Sequence, residues 1–310
     1  MEKKSIRMSK KLLIIGGASL VGSTIIDYAP NDYEIFATEN ITPINNPKIS
    51  SLKLDLLTNK KQILDYIEKI KPSAVIHTVA FPNVDFCESN HELTDLLHVK
   101  ITEDISEICS KVNSKLIYFS TDAIFDGKKS GKYLESDTPN PLSYYGKTKL
   151  EAEKIILKNS NNSILRTTVI YGWHTRSRFT NWVLNNLKNK KIVNAFTDQH
   201  NTPTLVDDLA RSVFKIIEND LCGLFHTSGK SCLNRFEFAQ KLAVTFGLDE
   251  NLIQPTKSSE ISQVAPRPKN GCLDSTQFEE KSDMIFNGID SGISHIFSLS
   301  NKSTTTSNKV

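Results

Sequence analysis

Tyr145 and Lys149 stand four residues apart in a segment, residues 144–157, whose pattern predicts an α-helix. This spacing places both side chains on one helix face, about one turn apart. A nearby ammonium stabilises a phenolate, so we expect Lys149 to lower the pKa of Tyr145 from its usual value of about 10. The pair is therefore suited to proton transfer near neutral pH. Because a solvated helix can carry the same pair without a function, other features must decide.

Two further features precede this helix in the sequence. A strand-like run, residues 115–119, ends in Ser120-Thr121-Asp122, which supplies a hydroxyl partner. Near the N-terminus, Gly16-Gly17-Ala18-Ser19-Leu20-Val21-Gly22 separates an apolar run from a predicted helix. Glycines in such a turn let the backbone approach a pyrophosphate, whose charge lies at the helix N-terminus. Together the phosphate turn, the hydroxyl and the proton donor indicate a nicotinamide-dependent oxidoreductase.

Apolar strands alternate with amphipathic helices through the first half of the chain. Such alternation predicts an α/β fold with a Rossmann-type, doubly wound parallel sheet. The predicted strands are 12–15, 33–38, 48–54, 74–79, 115–119 and 163–170, and the predicted helices are 20–28, 60–70, 91–111 and 144–157. Two later apolar stripes, between residues 206 and 217 and between 238 and 246, predict helices packed on a core.

Composition excludes several classes of protein. A formal charge of +3 with scattered lysines and no basic stripe argues against a nucleic-acid partner. The basic start followed by Leu12–Ala18 imitates a secretory signal, but the apolar run is too short for a membrane span and fits a first buried strand. The five cysteines lack paired spacing, so we expect reduced thiols in a cytoplasmic protein, with no disulfide and no zinc site.

Carboxylates after the next strands are candidates for contacts with the adenosine half of a dinucleotide. Glu39 ends the predicted second strand, where an acidic residue holds ribose hydroxyls. Asp55 follows the third strand and could reach the adenine. No arginine lies near Glu39 in sequence to bind a 2′-phosphate, so NADH is slightly favoured over NADPH.

The chain resembles the extended short-chain dehydrogenase/reductases, and within them the dTDP-4-dehydrorhamnose reductase family. The resemblance covers roughly residues 11–280. The motifs that carry it are Gly16-x-x-Ser-x-x-Gly22, Ser120-Thr121-Asp122 with Ile124-Phe125-Asp126-Gly127, Tyr145-Gly-Lys-Thr-Lys149, Val84-Asp85 with Glu88, Arg166-Thr167 with Tyr171-Gly172, Asp198-Gln199 with Pro203-Thr204, Gly223–Gly229 and Arg267-Pro-Lys-Asn270.

This resemblance implies NAD(P)H-dependent reduction of a 4-keto nucleotide sugar. Tyr145 would protonate the carbonyl oxygen, Thr121 would bind the same oxygen, and Lys149 would hold the nicotinamide ribose. The cofactor would also contact Gly16, Ser19, Leu20, Val21, Gly22, Glu39, Asp55, Leu56, Val79 and Ala80. The substrate would contact Asp85, Thr121, Asp122, Arg267 and Lys269. We expect no metal site and no nucleic-acid or membrane partner, and we leave a homodimer open.

The resemblance also implies two lobes. Residues 10–172 would form the NAD(P)-binding domain, with residues 196–229 returning to it. Residues 173–195 and 230–297 would form a smaller α/β substrate-binding lobe. From residue 298 the sequence is polar, and we expect a disordered tail over residues 298–310.

Departures from the family pattern leave the substrate open. Ser19 replaces a glycine of the phosphate turn, and Ala123, Phe86 and Val169 replace residues that line the sugar pocket, although Trp173 could substitute nearby. A 4,6-dehydratase is disfavoured because Ala123 stands where a second carboxylate is required. An epimerase, or a non-catalytic regulatory subunit of the methionine adenosyltransferase type, remains an alternative.

Overall fold

The structure is a computed structural model that describes residues 10–307. The signal-like lysines and arginine of residues 1–9 lie outside this range, as do residues 308–310. The apolar run that could have been a signal core instead forms the first strand, which is fully buried over residues 12–15. No helix in the described range is long and apolar enough to cross a membrane.

In this range seven parallel strands form one sheet in the order β11-β6-β5-β4-β1-β2-β3. This is the doubly wound α/β order, with the change of direction between β1 and β4. The strands are β1 Lys10–Ile15, β2 Tyr33–Glu39, β3 Ser50–Lys53, β4 Ala74–His77, β5 Lys115–Thr121, β6 Ser163–Thr167, the separate short β7 Ile170–Tyr171, and, later in the chain, β11 Gly223–His226.

Helices cover both faces of this sheet, and each face has its own apolar core. The predicted Rossmann-type fold is confirmed. The first helices are α1 Leu20–Tyr28, α2 Lys60–Ile70, α3 Val84–Ser89, α4 His91–Asp95, α5 Ile101–Lys111 and α6 Tyr144–Ile156. The sequence predicted one helix over residues 91–111; the structure places a π-helical turn, Leu96–Lys100, between α4 and α5.

The remaining elements lie in the second half of the chain, where residues between 171 and 296 form a third core, whereas the helices over residues 206–218 and 276–282 pack on the core that contains α1. Short strands pair in three small sheets, β10-β7, β12-β9-β14 and β13-β8. These elements are α7 Arg178–Lys188, β8 Val193–Phe196, β9 His200–Asn201, β10 Thr204–Leu205, α8 Val206–Glu218, β12 Leu233–Asn234, α9 Arg235–Thr245, β13 Ile253–Thr256, β14 Asn270–Gly271, α10 Thr276–Ser282 and α11 Ile289–Ser307.

Two expectations for this half of the chain differ from the structure. Cys232 and Cys272 form a disulfide, so the expectation of five free thiols was wrong for this pair. Strands β12 and β14 flank β9, which brings together cysteines that lie 40 residues apart in sequence. Helix α11 continues to Ser307, where a disordered tail from residue 298 was expected. The division into two lobes remains a proposal.

Candidate active site

The turn after β1 is compact because of its glycines. Gly16 has a φ of +89°, which favours glycine, and its N–H donates to Thr38 Oγ1 at 2.9 Å. A Cβ on Gly22 would lie 2.3 Å from the Gly16 carbonyl oxygen, so only glycine lets α1 pack this closely on the turn. Ser19 caps α1, because its Oγ accepts the N–H of Gly22 at 2.9 Å. Helix capping therefore explains a serine where the family has glycine.

The loops after β2 and β4 meet this turn. A Cβ on Gly16 would approach Val79 Cγ2 to 2.7 Å, and one on Gly17 would approach Ile44 Cδ1 to 2.8 Å. Ala80 follows Val79 in the loop beyond β4. The three segments thus meet at the switch point of the sheet, where α/β proteins bind nucleotides.

Glu39 is the last residue of β2, as expected, and its Oε2 accepts the N–H of Ile44 at 2.6 Å. Asp55 Oδ1 accepts the N–H of Leu57 at 3.0 Å. The side chains of Leu56 and Val21 are buried in the two cores that flank the sheet, and the side chain of Leu20 packs on the core that contains Val21. These three residues can therefore offer a cofactor mainly their backbone groups.

Sequence reasoning missed an arginine beside the Glu39 loop. The Arg176 guanidinium donates a hydrogen bond to Thr42 Oγ1, three residues beyond Glu39. The segment that contains Arg176 also contacts the first turn of α1 through His174, whose Nε2 lies 3.3 Å from Ser23 Oγ. Because 134 residues separate Arg176 from Thr42, a search of the sequence near Glu39 could not find it.

The N-terminus of α6 packs directly against the segment after β5. A Cβ on Gly146 would lie 2.2 Å from the Ala123 carbonyl oxygen, so this glycine allows the contact. Ser143 caps the helix by accepting the Gly146 N–H at 3.2 Å. Tyr145 is thereby held beside Thr121, whose side chain acts to lower the tyrosine pKa. The structure therefore brings together the predicted proton donor and hydroxyl.

Lys149 is buried and is held away from the phenol of Tyr145. Its Nζ donates to Tyr118 Oη and to the Phe119 carbonyl oxygen, both at 2.6 Å. Burial lowers the pKa of Lys149 to about 7. Burial also raises the pKa of Tyr145 well above its usual value, and the opposing influence is the Thr121 side chain rather than Lys149. The expected lowering of the tyrosine pKa by Lys149 is therefore not seen, and Tyr145 keeps its proton.

His98, in the π-helical turn, was also missed. Its Nε2 accepts the N–H of Phe81 at 2.8 Å, so the neutral ring carries its proton on Nδ1, 3.0 Å from Thr148 Oγ1. Burial lowers the pKa of His98 to about 3. This histidine links the loop after β4 to α6, and its ring meets Tyr145 edge to face at 5.6 Å between centroids.

Asp122 lies at the junction with the second half of the chain. Its Oδ1 accepts from Thr121 Oγ1 at 3.1 Å and its Oδ2 from Asn201 Nδ2 at 2.7 Å. Burial raises its pKa, while the charge of Arg235 is among the influences that lower it. Arg235, the first residue of α9, was not predicted as a site residue.

The other predicted substrate residues are arranged differently from the expectation. Arg267 NH1 donates to Asp85 Oδ1 at 2.9 Å and to the Ala265 carbonyl oxygen at 2.8 Å. This hydrogen bond lowers the pKa of Asp85. Lys269 is exposed, and its charge adds to the hydrogen bonds from Ser258 that lower the pKa of Asp198. Arg267 and Asp85 thus bind each other, and a substrate role for Arg267 or Lys269 remains a prediction.

The altered pocket positions are filled by packing contacts. Phe86 packs on Phe81 with ring centroids 4.9 Å apart. Trp173 stacks on Phe246 at 6.0 Å, so its ring belongs to the third core. Val169 has a φ of +46°, an uncommon value for a β-branched residue.

Within residues 10–307 no cluster of His, Cys, Asp and Glu could hold a metal ion.

The chain is similar to known proteins over most of its length. The family model described as RmlD substrate binding domain matches residues 10–299. A dTDP-4-dehydrorhamnose reductase from Aggregatibacter actinomycetemcomitans is 32% identical over 253 residues, which are 76% of this chain and 86% of that protein. Methionine adenosyltransferase 2 subunit beta from Xenopus laevis is 29% identical over 284 residues, covering 88% and 82%.

Among solved structures, a dTDP-4-dehydrorhamnose reductase from Bacillus anthracis in complex with NADP shares the fold. It superposes with a TM-score of 0.84 over 94% of this chain and 99% of that one, at 24% identity. The family model spans nearly all of the described chain, and the reductase relative exceeds 30% identity over most of it. The chain therefore belongs to the RmlD substrate binding domain family.

Proposed function

We propose that this protein reduces the ketone of a 4-keto nucleotide sugar, with NADH or NADPH as the cofactor. The observation that carries the proposal is the meeting of Thr121 and Tyr145 beside a glycine turn that can accept a pyrophosphate. The reductase relative supports the same reaction class.

The turn could hold a dinucleotide, because its glycines keep the backbone compact at the start of α1, where the N-terminus of a helix attracts a pyrophosphate. When bound, the nicotinamide supplies a hydride to the ketone carbon. Glu39 and Asp55 would hold the adenosine half, and Lys149 the nicotinamide ribose. A nicotinamide complex is known for the Bacillus anthracis reductase, which binds NADP.

Tyr145 donates the proton in this proposal. Its raised pKa keeps the phenol neutral at pH 7, and the alkoxide that forms on the substrate is the stronger base. Thr121 would orient the ketone oxygen by donating to it the hydroxyl proton that Asp122 Oδ1 accepts at 3.1 Å in this structure, while the Ala123 N–H donates to Thr121 Oγ1 at 3.1 Å. Both groups then lie on one side of the reacting carbon, which provides the orientation that catalysis needs.

For the cofactor we keep the slight preference for NADH. Glu39 would repel a 2′-phosphate and accept ribose hydroxyls. Arg176 brings a positive charge to the same loop and works in the opposite direction. A homodimer and a cytoplasmic location also remain predictions, and the Cys232–Cys272 disulfide removes the cysteine argument for the latter.

The proposal is tested by following NADH and NADPH oxidation with a panel of 4-keto nucleotide sugars. We expect stoichiometric reduction of at least one member. An epimerase would instead interconvert sugars without net oxidation of the cofactor. Absence of both reactions across the panel would contradict the enzymatic proposal.

A regulatory role is the second candidate, because methionine adenosyltransferase 2 subunit beta matches 88% of this chain. The intact Thr121, Tyr145 and Lys149 favour an enzyme. Co-purification with a methionine adenosyltransferase, together with a change in that enzyme's kinetics and no turnover of the panel, would favour the regulatory role.

A further inference from the structure

Arg235 has a charged side chain that the protein itself does not satisfy. It is half-buried, and no residue within 10–307 accepts a hydrogen bond from its guanidinium or forms an ion pair with it. A guanidinium has five N–H donors, and leaving them without partners in a partly desolvated place is unfavourable. The side chain is therefore available to a ligand.

The fold holds Arg235 beside the catalytic segment. Asn234 pairs with His200 in the β12–β9 ladder, and the next residue, Asn201, donates to Asp122 Oδ2 at 2.7 Å. Asp122 directly follows Thr121, and its charge influences the pKa of Arg235 although the two side chains form no direct ion pair. The guanidinium thus lies near the carboxylate that directly follows the catalytic hydroxyl in sequence.

The guanidinium of Arg235 packs against an aromatic ring. Its Cζ lies 5.1 Å from the centroid of the Phe179 ring, and Phe179 in turn stacks on Phe238 at 5.1 Å. A guanidinium held over an aromatic face is restricted in orientation, so it loses less freedom when it binds an anion.

The local electrostatics favour a ligand with negative charge. Arg235 is the first residue of α9, and a helix N-terminus carries partial positive charge of its own. The nearby carboxylates are already engaged, since Asp122 is bonded to Thr121 and Asn201 and Glu237 caps the N–H of Asn234. Neither carboxylate accepts a hydrogen bond from Arg235, so the N–H donors of the guanidinium remain open to an anion.

We infer that Arg235 binds the diphosphate of the nucleotide sugar and so selects a nucleoside diphosphate-linked substrate. This inference rests on the proposed function for the sugar, but the diphosphate contact can be tested without turnover. Arginine can bind phosphate oxygens through two parallel hydrogen bonds, which lysine cannot reproduce. This assignment to Arg235 replaces the expectation that Arg267 binds the diphosphate, because the Arg267 guanidinium already donates to Asp85.

The test measures binding of dTDP and UDP by calorimetry to the full chain without cofactor. Loss of a charge-assisted contact predicts about 10–100-fold weaker binding by Arg235→Gln. The affinity of Arg235→Lys for the diphosphates should lie between that of Arg235→Gln and that of the wild type. Arg235→Lys replaces the glutamine variant as the test if the latter does not fold. Lys241→Gln, which removes one positive charge from the exposed face of the same helix, should bind as the wild type does.

The inference would be overturned by unchanged affinity for the diphosphates in Arg235→Gln, or by no binding of either diphosphate by the wild type. Loss of turnover with intact diphosphate binding would also overturn it, because Arg235 would then act on the sugar. Arg235-dependent binding of dTDP or UDP with no reduction of any sugar would support the inference while contradicting the proposed function.

Discussion

Individual residues of the site have protonation states set mainly by burial. Burial favours the neutral form of both Tyr145 and Lys149, raising the pKa of the first and lowering that of the second to about 7. Neutral Tyr145 is the form that a proton donor to a ketone requires. Lys149 donates to Tyr118 and to the Phe119 carbonyl oxygen, and it is not among the groups that shift the pKa of Tyr145.

Cofactor selection can be tested at single residues. If Glu39 selects the cofactor, Glu39→Ala should raise kcat/KM for NADPH and lower kcat/KM for NADH. The ratio of the two constants should change by about tenfold, because one contact between a charge and a phosphate changes. Arg176→Gln should move the ratio the other way. The two specificity constants are measured for each variant by steady-state kinetics.

Arg178→Gln is a control for Arg176, because Arg178 is exposed and two residues away. An NADH-to-NADPH ratio that stays constant in Glu39→Ala would show that this residue does not choose the cofactor. Loss of NADPH use in Arg176→Gln alone would assign the choice to the arginine and contradict the preference for NADH.

At the scale of elements, the sequence predicted those helices whose apolar spacing and end signals lie within one short segment. Helices α1 and α2 begin and end at the predicted residues, because apolar spacing and end signals lie within each segment. The π-helical turn between α4 and α5 was not predictable, since its apolar pattern is compatible with one continuous helix. Its consequence is the placement of His98, which depends on contacts with Phe81 and Thr148.

The candidate site was predictable where a motif is contiguous and not where the fold joins distant segments. The glycine turn and the Tyr145–Lys149 pair lie within single segments. The contacts of Arg176 with Thr42 and of Arg267 with Asp85 span 134 and 182 residues. The position of Arg235 beside Asp122 likewise depends on the β12–β9 ladder, for which no sequence pattern was recognised.

The close packing of α6 on the segment after β5 yields a test at this scale. Gly146→Ala would place a Cβ 2.2 Å from the Ala123 carbonyl oxygen, so the helix must shift and move Tyr145 relative to Thr121. A displacement of about 1 Å can lower kcat by about 100-fold. The measurement is kcat at saturating substrate, with folding checked by circular dichroism.

Gly288→Ala is the matched control, since its Cβ would meet only Ser231 Oγ at 3.4 Å. We expect it to retain the wild-type kcat. Wild-type turnover in Gly146→Ala would show that the contact does not position the proton donor.

Across the whole molecule, the disulfide and several buried histidines affect the stability of the fold. Cys232–Cys272 joins two short strands of the β12-β9-β14 sheet, which contacts Asp122 through Asn201. His77, His98 and His226 are buried, and burial lowers the pKa of each to about 3. The unfolded chain binds protons at these histidines near pH 6.5, where the folded chain does not.

Breaking the disulfide should destabilise the whole chain. The bridge closes a loop of 40 residues, so Cys232→Ala should lower the free energy of unfolding by about 2–4 kcal/mol in denaturant titrations. Reduction of the wild type should have the same effect. Cys222→Ala, at an exposed free thiol, is the control. Equal stability of the oxidised and reduced wild type would contradict the prediction.

Acid should also destabilise the fold through these histidines. Since the folded pKa lies below the unfolded one, the stabilisation is complete above about pH 6.5 and is lost as pH falls towards 3. His77→Gln should reduce the stability lost between pH 7 and 5 by about 1–2 kcal/mol, measured by denaturant titration at each pH. The exposed His91→Gln should keep the wild-type dependence on pH. An unchanged dependence in His77→Gln would contradict the account.

The most direct test of the central claim compares the wild type with Tyr145→Phe in the reduction of a 4-keto nucleotide sugar. The phenylalanine ring keeps the packing but lacks the proton, so kcat should fall by about 10²–10⁴-fold. Affinity for NADH or NADPH, measured by fluorescence titration, should stay within about twofold, a change of less than 0.5 kcal/mol. Near wild-type kcat in Tyr145→Phe would contradict the assignment of Tyr145 as the proton donor.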